Sequence, residues 1–85
     1  NNAAPNSPQL QQLQTQIEQA QQQLDFDKEN YLRYKDLWGK KSVSQLDFEK
    51  VELQYKTSQK NITALQKQYQ EIQDALQLSV KRSLV

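Results

Sequence analysis

Apolar side chains recur along this chain at alternating steps of three and four residues. One such series runs over residues 10–38 and a second runs over residues 48–76. A series with this spacing forms a continuous seam that faces a partner helix in a coiled coil. Each seam has one polar member, Asp27 in the first and Ser58 in the second. The pattern therefore predicts two long helices, each with an apolar seam that a single polar residue interrupts.

Helix-breaking residues divide the chain in the same way. Both prolines, Pro5 and Pro8, lie within the first eight residues, and the only glycine, Gly39, lies near the midpoint. The segments between them are rich in Gln, Leu, Ala, Lys and Glu, which favour helix, whereas Pro and Gly disfavour it. We therefore predict a linker over 1–8, a first helix over 9–38, a tip turn over 39–43, a second helix over 44–79 and a tail over 80–85.

Folding the chain at Gly39 brings the two seams together in antiparallel order. Facing residues then have numbers that sum to 85 or 86, and Asp27 and Ser58 fall in one layer. A polar layer costs stability but sets the register, because a slipped pairing would bury the aspartate against an apolar side chain. The matched interruptions predict an all-α fold, an antiparallel two-helix coiled-coil hairpin. The apolar pairs are Leu10–Leu76, Leu13–Ile72, Ile17–Tyr69, Ala20–Leu65, Leu24–Ile62, Tyr31–Tyr55, Tyr34–Val51 and Trp38–Phe48.

Polar residues at the centre of the chain predict how the helices end and how they interact. Gly39 is expected to supply the permissive backbone that ends the first helix. Two pairs could cap the second helix, Ser42 with Gln45 or Ser44 with Asp47. Beside the seam, the lysine at position 35 faces the glutamate at position 52 and is expected to form an exposed ion pair worth about 0.5 kcal/mol.

Composition argues against several classes of function. The chain has 11 Lys and Arg against 10 Asp and Glu, so it lacks the positive excess that binds nucleic acid or an anionic membrane. It has no His and no Cys, which removes the usual zinc ligands, thiol nucleophiles and the commonest general base. We expect a protein that is not an enzyme, with no catalytic residues, no metal, no cofactor, no nucleic-acid partner and no membrane insertion by this segment.

A more specific pattern lies at the predicted tip. Arg33, Leu37 and Ser44 have the spacing Arg-x3-Leu-x6-Ser, with Tyr34 after the arginine and Val43 directly before the serine. This stretch resembles the tip motif of the periplasmic membrane fusion proteins, the HlyD-like adaptors of tripartite efflux and secretion pumps in Gram-negative bacteria. In that family, a coiled-coil hairpin is inserted in a lipoyl-like domain, and its tip docks on an outer-membrane channel of the TolC type. The resemblance covers residues 9–79.

The resemblance also implies a location and a set of partners. It implies a periplasmic protein whose parent is anchored to the inner membrane and contacts an inner-membrane transporter through domains outside this segment. Other implied partners are the outer-membrane channel and further adaptor copies. The chain begins with Asn rather than Met, and we expect a piece of a larger protein whose tail, 80–85, leads to a lipoyl-like domain. The implied channel-binding residues are Arg33, Leu37, Ser44 and Leu46.

Each tip residue has a physical role that fits docking. The guanidinium of Arg33, one turn below the break, can donate to carbonyls or carboxylates of a partner. Leu37 borders the seam, while Leu46 and Leu53 lie off it, so all three can add apolar contact surface. Four aromatic residues lie on the seam near the tip and are expected in the core rather than in the contact: Tyr31, Tyr34, Trp38 and Phe48.

The sequence is also compatible with two other functions. The chain could be a structural coiled coil that self-associates along its flanks, with the tip as a passive turn. It could also be a chaperone-like hairpin that grips client proteins through exposed leucines. The second alternative needs no cation at the tip, so a substitution of Arg33 separates it from channel docking.

Overall fold

Two helices form almost all of the described structure. The computed structural model describes the backbone of residues 8–84 and the side chains of residues 8–78. Helix α1 spans Pro8–Gly39 and helix α2 spans Gln45–Leu84, and the two pack against each other. The Cα positions extend over 65 × 17 × 14 Å, which is a narrow rod. The predicted all-α hairpin is confirmed. Neither described helix contains a stretch that is long and apolar enough to cross a membrane.

The helix boundaries differ from the predicted ones at four places. Ser44, predicted as the first residue of the second helix, lies directly before α2. Pro8, predicted in the linker, begins α1, because proline lacks an N–H that the first helical turn would leave unpaired. Gly39, predicted in the turn, is the last residue of α1. Residues 80–84, predicted in the tail, continue α2, which meets no proline or glycine after it begins. Residues 1–7 of the predicted linker and residue 85 of the tail lie outside the described residues.

Aromatic stacking near the tip shows the register of the two helices. The ring centroids of Tyr31 and Tyr55 lie 5.1 Å apart. Those of Trp38 and Phe48 lie 6.0 Å apart, with the ring planes nearly parallel at 1°. Both are pairs that the seam predicts. The helices are therefore antiparallel and in the predicted register at this end.

The same register continues along the stem. Ala20 and Leu65, a predicted pair, line one surface groove between the helices, and Leu13 and Ile72 line another. No large described side chain is completely buried, so stability depends on many thin layers rather than on a central core. The buried apolar residues are Leu10, Leu13, Ala20 and Ile62.

One predicted ion pair is absent from the described residues. Lys35 Nζ lies 5.9 Å from the centroid of the Tyr31 ring, instead of reaching Glu52 on the other helix. Tyr31 is one turn earlier on the same helix, so its ring face is within reach of the lysine and can interact with the cation. The ion pair that does form in this region joins Lys40 Nζ to Asp36 Oδ2 at 3.1 Å, between exposed side chains.

Candidate functional site: the tip of the hairpin

A Schellman motif ends α1. The Ser42 N–H donates to the Leu37 carbonyl at 2.8 Å, and the Lys41 N–H donates to the Trp38 carbonyl at 2.9 Å. This pair of bonds requires a left-handed residue directly after the helix cap. Lys41 occupies that position, with φ of 59°. The chain therefore reverses at a lysine.

The prediction that Gly39 supplies the permissive backbone is wrong. Its φ is not positive, and the helical ladder continues past it, because the Lys40 N–H donates to the Asp36 carbonyl at 3.1 Å. A left-handed conformation costs a non-glycine residue about 1 kcal/mol. The two turn bonds that flank Lys41 offset that cost. Apart from the two chain neighbours of Gly39 and the backbone of its own helix within four residues, no described atom lies within 4 Å of the position that a Cβ would occupy.

Gly39→Ala is expected to raise the free energy of unfolding by about 0.5 kcal/mol, because a helical glycine in open space gains from a methyl group. Urea unfolding followed by circular dichroism at low protein concentration measures the change. A left-handed glycine would respond in the opposite way, so a loss of stability would contradict the observed geometry.

Lys41→Gly tests the left-handed position of the same turn. We expect a gain of about 0.5–1 kcal/mol in the free energy of unfolding, since glycine adopts positive φ without steric strain. Lys40→Gly is the matched control, because Lys40 is not left-handed and pairs with Asp36. That control is expected to lose stability. Equal effects of the two substitutions would mean that the turn does not discriminate between these positions.

Ser44 is the N-cap of α2. The Asp47 N–H donates to Ser44 Oγ at 3.0 Å, and the Phe48 N–H donates to the Ser44 carbonyl at 3.1 Å. Of the two predicted caps, the structure therefore uses the second, with the Asp47 side chain in the first turn, where the helix dipole favours negative charge. The cap uses a lone pair of the Ser44 hydroxyl. Its hydrogen has no acceptor among the described residues and can be donated outward.

Arg33 lies exposed on α1, close to the tip. Its Nη1 donates to the Asn30 side-chain carbonyl at 3.0 Å, which is a contact with a neutral group one turn earlier. A guanidinium has five N–H donors in a planar fork. Within the described part of the chain, Arg33 therefore keeps most of its donors and its full charge available. Leu37, one turn further along the same helix, is half-buried.

Apolar surface at the tip is larger than the sequence predicted. Leu46 and Leu53 are 61% and 65% exposed, as their off-seam positions indicated. Trp38 stacks on Phe48 along the seam but remains 39% exposed, as the last seam residue of α1 before the turn. The other seam aromatics near the tip are half-buried. Three exposed large apolar residues further along the rod were not singled out by the sequence analysis, although their off-seam positions could have shown them: Phe26, Leu32 and Leu78.

A buried polar layer lies below the tip. Ser58 Oγ donates to Asp27 Oδ2, and the two residues are 8% and 5% exposed. Gln23, one turn earlier on α1, also donates to the aspartate, with Nε2 3.2 Å from each carboxylate oxygen. No buried polar side-chain atom of the described residues lacks a partner. The layer predicted from two interruptions is thus a network of three residues, and the glutamine is the member that sequence reasoning missed.

The geometry of the described residues defines only a class of fold. The chain is an antiparallel coiled-coil hairpin that carries a cation, a cap hydroxyl and exposed leucines at one end. Comparisons with protein-family models, with curated proteins and with solved structures give no match for this chain. A function must therefore be argued from the tip residues and their geometry.

Proposed function

We propose that this chain is the hairpin of a periplasmic adaptor protein, whose tip docks on a TolC-type outer-membrane channel in a tripartite efflux or secretion pump. The observation that carries the proposal is the state of Arg33. It is exposed beside the turn, with a single described bond to a neutral amide, and it stands in the Arg-x3-Leu-x6-Ser spacing of that family.

The shape of the hairpin supports the proposal. A rod 65 Å long and at most 17 Å wide holds its turn away from the opposite ends of the two helices. An adaptor needs such reach to join a channel in the outer membrane to a transporter in the inner membrane. The parent protein would be periplasmic and contact the transporter through domains outside this segment.

The proposed docking mechanism uses each tip residue in a different way. Arg33 donates in a charge-assisted bond to carbonyls or carboxylates at the helical end of the channel. Leu37 and Leu46 pack against apolar side chains there, and the free hydrogen of the Ser44 hydroxyl can donate to a carbonyl. Each contact is weak, but several adaptor copies around one channel multiply them.

Arg33→Ala tests the proposal. We expect export by the parent pump to fall by about tenfold or more, because a charge-assisted hydrogen bond contributes about 1.5–3 kcal/mol and is lost in every copy. Leu37→Ala is expected to act in the same direction. Retention of the exported compound in cells measures export, and circular dichroism of the isolated chain should show unchanged helix content.

Lys28→Ala is the matched control for the arginine. Lys28 is an exposed cation on the same helix, about three turns from the end of α1, and its loss should leave export intact. Unimpaired export with Arg33→Ala and Leu37→Ala combined would remove the tip assignment. A loss of activity on Leu46→Ala without any effect of Arg33→Ala would instead favour a hairpin that grips client proteins.

A further inference from the structure

The outward faces of the two helices carry opposite charges. Their side chains lie at heptad positions b and f, on the side of each helix that points away from its partner. Over the middle of the rod, the α1 face carries Glu18, Asp25 and Glu29, and the α2 face carries Lys56, Lys60 and Lys67. Nearer the ends of the rod, the α1 face also carries Asp36, and the α2 face also carries Glu49 and Asp74. The six charges over the middle define the acidic face of α1 and the basic face of α2. All six of these side chains are exposed, and none forms an ion pair with another described residue.

These charges occur at matching levels along the rod. Among these six charges, the gaps along α1 are seven and four residues, and the gaps along α2 are four and seven. Because the helices are antiparallel, the reversed order places each carboxylate level with one ammonium group. The level pairs are Glu18 with Lys67, Asp25 with Lys60 and Glu29 with Lys56, and the numbers in each pair sum to 85, as they do along the seam.

Exposed apolar residues on the same two faces also occur at matching levels along the rod. Leu32 on α1 is 52% exposed and Leu53 on α2 is 65% exposed, and these two residues share a level between the charges and the tip. Nearer the tip, Leu46 shares a level with Gly39, beside which the hairpin leaves open space. A leucine of a neighbouring molecule would fit there.

We infer that a second copy of this chain packs beside the first, with both tips at the same end and with the α1 face of one copy against the α2 face of the next. The contact joins two different faces, so each copy keeps one face free to bind a further copy. The inference deepens the proposed function, on which its biological meaning rests, because it names the surface through which adaptor copies assemble.

Other arrangements of two copies fit the charges less well. Two α1 faces would bring carboxylates together, and two α2 faces would bring lysines together. With the tips at opposite ends, the order of the gaps no longer matches, and at most two of the three ion pairs can form. One level of the proposed contact is unfavourable, since Asp36 meets Glu49, but Lys40 Nζ lies 3.1 Å from the Asp36 carboxylate and compensates its charge.

Disulfide cross-linking tests the contact, because the chain contains no cysteine of its own. A chain with Leu32→Cys is mixed with a size-tagged chain with Leu53→Cys, and mixed dimers are counted after mild oxidation. Thr63→Cys replaces Leu53→Cys in the mismatched control, since Thr63 is exposed on the same face about 15 Å along the helix. We expect the matched pair to cross-link about tenfold faster than the mismatched pair. A tenfold ratio corresponds to a free-energy difference of about 1.4 kcal/mol.

Charge reversal tests the ionic part of the same contact. Changing the three lysines of the basic face to glutamate in the Leu53→Cys chain should slow matched cross-linking about tenfold. Changing the three acidic residues to lysine in the Leu32→Cys chain should then restore the rate in the mixture. Salt at about 0.5 M should slow the unmodified pair, since it screens exposed charges. Circular dichroism of each variant shows that the hairpin is folded.

Three results would overturn the inference. They are equal rates for matched and mismatched pairs, faster cross-linking of Leu32→Cys chains with themselves, and no rescue by the complementary charge reversal. These results are independent of the export test. Failed cross-linking with export still dependent on Arg33 would remove this contact alone, whereas matched cross-linking with export indifferent to Arg33 would remove channel docking alone.

Discussion

Ser58→Ala is expected to lower the free energy of unfolding by about 3 kcal/mol, because it removes a partner from a buried carboxylate. Asp27 is only 5% exposed and would keep a single donor, the Gln23 amide at 3.2 Å. A charge that has left water and lost a hydrogen bond is costly. In a thin hairpin without a completely buried large side chain, this loss is a large share of the total stability.

Urea unfolding at low protein concentration measures the effect of Ser58→Ala. Thr57→Ala is the matched control, since it removes a hydroxyl from the adjacent exposed position and should change stability by less than about 0.5 kcal/mol. Combining Asp27→Leu with Ser58→Ala removes both buried polar groups, and we expect this double variant to regain the lost stability. A single Ser58→Ala variant as stable as the control would show that the layer contributes nothing.

Phe48→Ala is expected to lower the free energy of unfolding by about 2–3 kcal/mol, from lost burial and lost stacking. The Phe48 ring lies between two others, with centroids 5.9 Å from Tyr31 and 6.0 Å from Trp38. Removing the Phe48 ring breaks these aromatic contacts between α1 and α2 next to the turn. The hairpin should therefore open from the tip before the stem unfolds.

Fluorescence gives a local measurement of the Phe48→Ala effect. Trp38 is the only tryptophan of the chain, so its emission should shift to longer wavelength when the neighbouring ring is lost, and urea unfolding should give the change in stability. Leu46→Ala is the matched control: it truncates a 61%-exposed apolar residue of the same helix turn and should cost less than about 0.5 kcal/mol. If the two variants were equally stable, the stacked aromatics would not hold the tip together.

The seam and its register could be predicted from the sequence because both are repetitive. Steps of three and four identify a coiled-coil face wherever they occur, and one breaker near the middle leaves little choice of pairing partner. The coincidence of Asp27 and Ser58 in one layer added a second, independent constraint. The hydrogen bond between them and the stacking of Tyr31 on Tyr55 are both in the predicted register.

The tip could be predicted only in outline, because several turn geometries were compatible with the same residues. Glycine is the usual left-handed residue, so Gly39 was the natural choice, yet the reversal falls on Lys41. Both Ser42 and Ser44 could have capped α2, and the Schellman bonds of α1 use the backbone of Ser42 and leave the cap to Ser44. Lys35 was predicted to pair with Glu52, and its ammonium group lies instead over the ring of Tyr31.

By itself, the sequence determined the class of fold, the pairing of the two seams and the position of the tip, because these depend on periodicity and connectivity. The tertiary structure alone decided which residue takes the left-handed conformation, which serine caps α2 and how far Trp38 stays exposed. Those details depend on how a few residues connect two helices whose directions are already set by their packing. Which of the competing hydrogen bonds form is decided by the geometry of the complete turn.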